Sequence, residues 1–430
     1  MAGSNIYVKH VIIPVQLHDA AVNDHPRGNL SDLYPRWLGA RELLLYGHDP
    51  YSPEITREIQ QGYYGRVLDP NRPGDPQDQA AFAYPVYVVF LIAPTIRMPF
   101  AQVQLIFANL LWIITAASVF LWFRVLRWRV SAVTALALAL LTLGSLPVIQ
   151  AIKLQQLTLL VAALLAGCFA AVAAGYLSLA GLLLALATIK PQLALLPVFW
   201  LLAWSIYRWR ERWRMLAVFC AAMLALLFGA EAVLHGWIGK FFIAMRNYHA
   251  YTHNQSLLQV LSTPILGYGL AALLLLFVAW LCRPSLRTAA ASPQFTATSS
   301  LVLALVVVTV PMFALYNQVL LLPAILVLAR DWRLLWNGTR TAKLLIAVTA
   351  ILLFWPWATS LVLDLALAVL PSTTVQNFWK LPFFSSDTMP VLVFGTLAYH
   401  LVQNPAIADK TASNLAQLNP ANTLPPSRHR

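Results

Sequence analysis

Val130-Ser-Ala-Val-Thr-Ala-Leu-Ala-Leu-Ala-Leu-Leu-Thr-Leu-Gly-Ser-Leu-Pro-Val-Ile149 runs without a single charge, and Arg124, Arg127 and Arg129 stand just before it. An apolar run of about 20 residues is what a helix needs to cross the hydrocarbon core of a bilayer. A spanning backbone must satisfy its own hydrogen bonds, so helix is the expected form. Working outward from this stretch, apolar blocks recur near 101–123, 131–149, 154–173, 176–189, 192–207, 215–234, 257–281, 299–315, 317–330, 343–363 and 389–403. The pattern reads as an all-α polytopic membrane protein with about 11 transmembrane helices.

Composition agrees. The chain is 60% hydrophobic and only 10% charged, against roughly 25% charged in a soluble domain, and no single water-soluble core absorbs that much apolar surface. The net charge of +13 does not mark a nucleic-acid binder, because the Lys and Arg residues sit in short clusters between apolar blocks, as orientation signals do. Those clusters are Arg124, Arg127 and Arg129; Arg208, Arg210, Arg212 and Arg214; Arg283 and Arg287; Arg330, Arg333, Arg340 and Lys343; and Arg428 with Arg430. All fall on one side if the blocks above are crossings, and the positive-inside rule makes that side cytoplasmic. Cys168, Cys220 and Cys282 lie inside apolar blocks without metal or redox spacing, which favours buried structural thiols.

The same count places residues 1–100 outside. The stretch Phe82 to Met98, with Pro85, Pro94 and Pro99, fits a short interfacial or re-entrant helix better than a span. A protein with an external N-terminal segment normally has a first transmembrane helix to translocate it. The only early apolar run, Val11 to Val15, is short and broken by Pro14, so that helix reads as missing: the favoured expectation is a truncated or misassigned start, the alternative an N-tail translocated without a helix of its own. The expected division is 1–100 external loop with interfacial helices, 101–406 helical bundle, and 407–430 a disordered cytoplasmic tail rich in Asn, Pro, Thr and Ser.

Chemistry is concentrated in the external segment. Ser31-Asp32-Leu33-Tyr34-Pro35-Arg36-Trp37 is followed by Ala40-Arg41-Glu42-Leu43-Leu44 and by Gly47-His48-Asp49-Pro50-Tyr51. A carboxylate among aromatics at a membrane surface suits a general base, although Asp-Pro-Tyr is also a good turn. Arg36, at i+4 from Asp32, would bind phosphate or pair with the Asp32 carboxylate. Lys190, Lys153, Gln155 and Gln156 fall at outer helix ends; an ionisable group so close to an apolar block is functional by default, or it snorkels to the interface. Arg246 to Ser256 is a polar aromatic loop holding His249, His253, Asn254 and Gln255. The two His residues lie at metal-ligand spacing, but no carboxylate is near them in sequence, so no metal site is expected.

Taken in order, Asp32 with Arg36-Trp37, Ala-Arg-Glu-Leu-Leu, Gly-His-Asp-Pro-Tyr, Phe82-Ala83-Tyr84-Pro85, Gln155-Gln156, Gly181 and Ile189-Lys190-Pro191 resemble glycosyltransferase family 87. The similarity runs from about residue 30 to 260 and more loosely through Tyr316-Asn317-Gln318. These are polyprenol-phosphate-mannose-dependent mannosyltransferases of the GT-C superfold. The resemblance implies a GT-C-like bundle with a long external N-terminal loop containing juxtamembrane helices. It implies a polyprenyl-phosphate sugar donor, most simply of mannose, a lipid or glycan acceptor, and work on the outer face of the cell membrane without a cofactor. Asp32 matches the catalytic carboxylate of the first external loop and would be general base in an inverting displacement. Arg36, Asp49, Tyr84, Gln155, Gln156, Lys190, His253, Asn254 and Gln255 would bind substrate. Where relatives often carry a His-rich late external loop, this chain has Ala314-Leu315-Tyr316-Asn317-Gln318. A transporter or lipid flippase also needs many helices and a few polar groups, but paired repeats and midplane breaks are not evident. A non-catalytic scaffold of the same fold stays open.

Overall fold

The structure, a computed structural model, describes residues 6–22, 31–69, 71–72, 74–252, 255–311 and 313–404. Every described regular element is helical. A π-helical turn, Val8–Ile12, leads into α1 (Ile13–Val22), so the Pro14-interrupted run is helical after all. Tyr7, Val8, Val11 and Ile12 bury themselves against Leu146, Ile149, Leu363 and Val375. The expected tail, 407–430, lies outside the described residues.

The polar N-terminal segment contributes α2 (Leu33–Arg41), a π turn Glu42–Tyr46 and α3 (Pro53–Tyr64). Gly47, at φ 73°, closes the π turn, and the Ser52 side chain caps α3 by accepting from the Ile55 N–H. The stretch 82–98 gives only α4 (Val88–Ile92) and a 3-10 turn Ala93–Thr95. Its prolines stop it from spanning, and α4 packs on α2.

The bundle follows: α5 (Phe100–Val125), α6 (Ala132–Leu143), α7 (Leu146–Lys153), α8 (Thr158–Ala173), α9 (Leu177–Ala187), α10 (Pro191–Tyr207), α11 (Trp209–Val233), α12 (Trp237–Thr252), α13 (Leu257–Val260), α14 (Pro264–Cys282) and α15 (Pro293–Thr309). A 3-10 segment, Leu315–Leu321, then precedes α16 (Leu322–Arg330), α17 (Trp332–Trp336), α18 (Arg340–Ala366), α19 (Ser372–Gln376) and α20 (Met389–Gln403). Each apolar block read from the sequence contributes helix, with breaks such as 261–263 and the end of α15 at Thr309. Among the described residues four stretches, Phe100–Val125, Trp209–Val233, Pro264–Arg287 and Arg340–Ala366, are long and apolar enough to span alone, and α6 with α7, bent 55°, form a broken span or a re-entrant loop. Six more apolar helices are shorter. The long helices expose Leu105, Ile113, Phe228, Ile265, Leu276 and Leu344, an apolar surface suited to lipid rather than water. Cys220 is exposed on α11, unlike buried Cys168 and Cys282, because that helix presents most of its surface outward.

At the centre runs α15, every residue of which is buried from Phe295 to Val308. A helix apolar all round belongs inside a bundle, and its Thr296, Ser300 and Thr309 region stays satisfied by bonds such as Ser300 Oγ to the Thr296 carbonyl, 2.8 Å. Helices α9 and α11 approach so closely that a Cβ on Gly181 would overlap the Met215 carbonyl.

The basic turns gather at one end. Arg330 donates to the Leu126 carbonyl (3.1 Å), Asp331 takes His400 Nε2 at 3.0 Å, and Arg212 donates to the Leu286 and Thr288 carbonyls at 3.1 and 3.0 Å. The polar segment joins the bundle at the opposite end, where Tyr87 Oη donates to the Thr188 carbonyl (2.9 Å).

Candidate active site

Asp32 is the residue that enters α2, and two neutral donors hold its carboxylate: Tyr63 Oη from α3, 3.2 Å from Oδ1, and Gln156 Nε2, which donates to Oδ2. Gln156 reaches it from the turn between α7 and α8. That turn reverses on Gln155, a non-glycine residue at φ 49°, a left-handed conformation that other residues disfavour. Gln155 is fixed by accepting from Ser31 Oγ and by donating to the Gln104 carbonyl at 3.0 Å.

Lys190, between α9 and α10, is 1% exposed. Its Nζ donates to Gln156 Oε1 at 3.1 Å and to Thr158 Oγ1 at 2.7 Å, and it lies 4.8 Å from the centre of the Tyr316 ring. The snorkelling alternative therefore does not describe it. Arg36 donates to the backbone carbonyl of Asp32 and stacks over Tyr84, 4.4 Å from the ring centre. Its bond to that carbonyl takes the place of the expected pairing with the carboxylate, because one helical turn brings the guanidinium back onto the backbone. Neither cation has a carboxylate partner among the described residues, and Arg36 Nε is buried without an acceptor. Burial alone would raise the Tyr84 phenol, yet Lys190 and Arg36 beside it hold it below the usual tyrosine value.

These groups line one cavity of about 110 Å³. Of the residues singled out in the sequence, it collects Asp32, Arg36, Tyr84, Gln156 and Lys190. Gln155 stands behind its wall. Asp49 is not brought to it: its carboxylate accepts from the Tyr51 N–H (2.9 Å) and pairs with Lys240 at 2.8 Å. Gln255 is exposed, and its carbonyl accepts from the Phe313 N–H at 3.1 Å. His253 and Asn254 lie outside the described residues. The polar loop expected at Arg246 to Ser256 is helical as far as Thr252, in α12, and sends Tyr248 into the cavity.

The cavity also holds Tyr63, Tyr64, Asp78, Gln192 and Tyr316, none proposed from sequence as site residues. Tyr63 had a faint signal, since Ile55, Ile59 and Tyr63 repeat every fourth residue on one buried face of α3. Asp78 had none, because it lies in a Pro-, Gly- and Asp-rich stretch. Its Oδ1 accepts from the Ala80 N–H at 2.9 Å.

A second, apolar cavity of about 440 Å³ lies between α6–α7, α16 and α18. Leu138, Val319, Ile325, Ala350 and Trp357 are among its walls, and Trp332 and Trp336 mark the end nearer the basic turns. Trp357 Nε1 is buried there without a partner. The two cavities share the 3-10 segment Leu315–Leu321, which gives Tyr316 to the polar one and Leu315, Gln318 and Val319 to the apolar one.

The model of Glycosyltransferase family 87 matches residues 82–311. That span includes Tyr84, Gln156, Lys190 and Tyr248 of the cavity and begins after Asp32 and Arg36. No curated protein matches the chain.

Proposed function

This chain belongs to glycosyltransferase family 87, and on that premise we propose that it transfers a sugar, mannose in the simplest case, from a polyprenyl-phosphate donor to a hydroxyl of a lipid or glycan acceptor. The observation that carries the reading is the arrangement of the polar cavity: the Asp32 carboxylate is held by neutral donors, the Asp78 carboxylate accepts from the Ala80 N–H, and two cations, Lys190 and Arg36, have no ion-pair partner among the described residues. Cations not neutralised by an ion pair suit an anionic leaving group.

In this mechanism Asp32 takes the proton of the acceptor hydroxyl as its oxygen attacks the anomeric carbon. The bond from that carbon to the phosphate oxygen breaks, the configuration inverts, and polyprenyl phosphate leaves as an anion facing Lys190 and Arg36. One base suffices, because phosphate needs no proton to depart. The apolar cavity suits the donor's hydrocarbon tail: its shared 3-10 segment lets a lipid lie along it with its phosphate in the polar cavity. Eleven spans, with this site on the external face of the cell membrane, fit the helices and the basic turns at the far end.

The test is transfer of labelled mannose from polyprenyl-phosphate-mannose in proteoliposomes. General-base loss is worth roughly 100- to 10,000-fold, and Asp32→Asn is expected to lose that much, whereas Asp78→Asn should stay within about threefold of wild type. Full activity of Asp32→Asn would sink the mechanism. A large loss confined to Asp78→Asn would move the base to that residue, and no transfer from any polyprenyl-phosphate sugar would remove the donor class.

A further inference from the structure

Gln156 connects the two halves of this chemistry. Its Nε2 donates to Asp32 Oδ2, and its Oε1 accepts from Lys190 Nζ at 3.1 Å. An ammonium can only donate and a carboxylate can only accept. The amide is therefore locked in one orientation, oxygen toward Lys190 and nitrogen toward Asp32; a flipped amide would set its N–H₂ against the ammonium and its oxygen against the carboxylate.

The lock extends further into the bundle. Lys190 also donates to Thr158 Oγ1 at 2.7 Å, and Thr158 Oγ1 donates to Asn317 Oδ1 at 3.2 Å on the 3-10 segment that both cavities share. An ammonium has three protons; two are committed to Gln156 and Thr158, and Lys190 also hydrogen-bonds the Tyr84 side chain, which lines the same cavity. On the other side, Tyr63 Oη occupies Asp32 Oδ1 at 3.2 Å. Gln156 itself is presented by the left-handed Gln155 and by its own N–H to the Ala151 carbonyl at 2.8 Å. Each end of its amide makes a bond to a protein group.

We propose that Gln156 is a positioning residue that aims the Asp32 carboxylate and ties it to the phosphate-facing Lys190, rather than a residue that binds sugar. The proposal rests on the base role of Asp32 given above. Because Gln156 acts through Asp32, its removal lowers turnover and leaves substrate affinity nearly alone. Without the amide, the carboxylate keeps only Tyr63 and can rotate away from the acceptor hydroxyl.

The experiment is a double-mutant cycle in proteoliposomes with polyprenyl-phosphate-mannose as donor. Gln156→Leu is expected to lower kcat about 30- to 100-fold with both KM values within about threefold. Gln156→Glu keeps the acceptor for Lys190 but opposes Asp32 with a second carboxylate, and it should lose at least as much. In the Asp32→Asn background, Gln156→Leu should change the residual rate by less than about twofold, since the group it aims is gone. Losses that multiply in the double variant, or a raised donor or acceptor KM with kcat intact, would overturn the proposal in favour of direct substrate binding. Unaltered activity of Asp32→Asn would instead strike the base reading itself, so the two failures are distinct. Near-isosteric Gln156→Glu and thermal melting of each variant in detergent separate an unfolded protein from a misaimed base.

Discussion

Replacing Lys190 by Met removes a charge while keeping most of the side-chain volume, and it isolates what the ammonium does. Lys190 is buried, and its Nζ makes two bonds to neutral oxygens, Gln156 Oε1 and Thr158 Oγ1. Burying a cation costs several kcal/mol, and each hydrogen bond to a charged group returns about 1.5–3 kcal/mol. The two contributions nearly cancel, so Lys190→Met should leave thermal stability close to wild type. Activity should behave differently. A charge-assisted bond from the ammonium to phosphate is worth about 1.5–3 kcal/mol, or roughly 10- to 150-fold in donor kcat/KM at 1.4 kcal/mol per decade. Negative charge on the phosphate grows as the glycosidic bond breaks, so part of the loss should appear in kcat and part in donor KM. The assay is initial-rate transfer in proteoliposomes with each substrate varied in turn, beside melting curves in detergent. A donor kcat/KM within about threefold of wild type, or a loss confined to the acceptor KM, would refute the assignment of phosphate binding.

Two further outcomes follow from other parts of the molecule. Ala350→Phe fills part of the apolar cavity on α18, and overpacking such a site costs about 1–3 kcal/mol; it should raise KM for a long polyprenyl donor while leaving a short-chain donor nearly unaffected, and equal effects on both would argue against a tail site. In the polar N-terminal segment, a hydrogen bond from Arg66 lowers the Asp75 carboxyl to about 2. Because the folded value is depressed, the pairing stabilises the 66–75 loop fully above the unfolded value near 3.9 and is lost as pH falls toward 2. Amide protection factors at the described residues of this loop should hold from neutral pH down to about pH 4 and fall below it, with Arg66→Ala lowering them at neutral pH and removing most of this pH dependence.

The sequence determined the class of molecule. Apolar blocks near bilayer length, punctuated by Arg clusters, admit no soluble core, and each block contributes helix. Those signals are local, written in consecutive residues by the demands of lipid on the backbone. It also pointed to Asp32, Arg36, Tyr84, Gln156 and Lys190, whose types in that order resembled a family, and the fold brings all five to one cavity. What it could not settle is which polar group faces which. Arg36 turned to a backbone carbonyl, Asp49 went to Lys240, and Gln155 became support for Gln156. Tyr63, Asp78 and Tyr316 entered from three distant segments. Such partners lie as far apart in sequence as residues 32 and 156, and periodicity within a helix says nothing about them. Only the packing of α2 and α3 across the α7–α8 turn decides that a carboxylate, an amide and an ammonium meet in a line, and that meeting is the basis of the proposed chemistry.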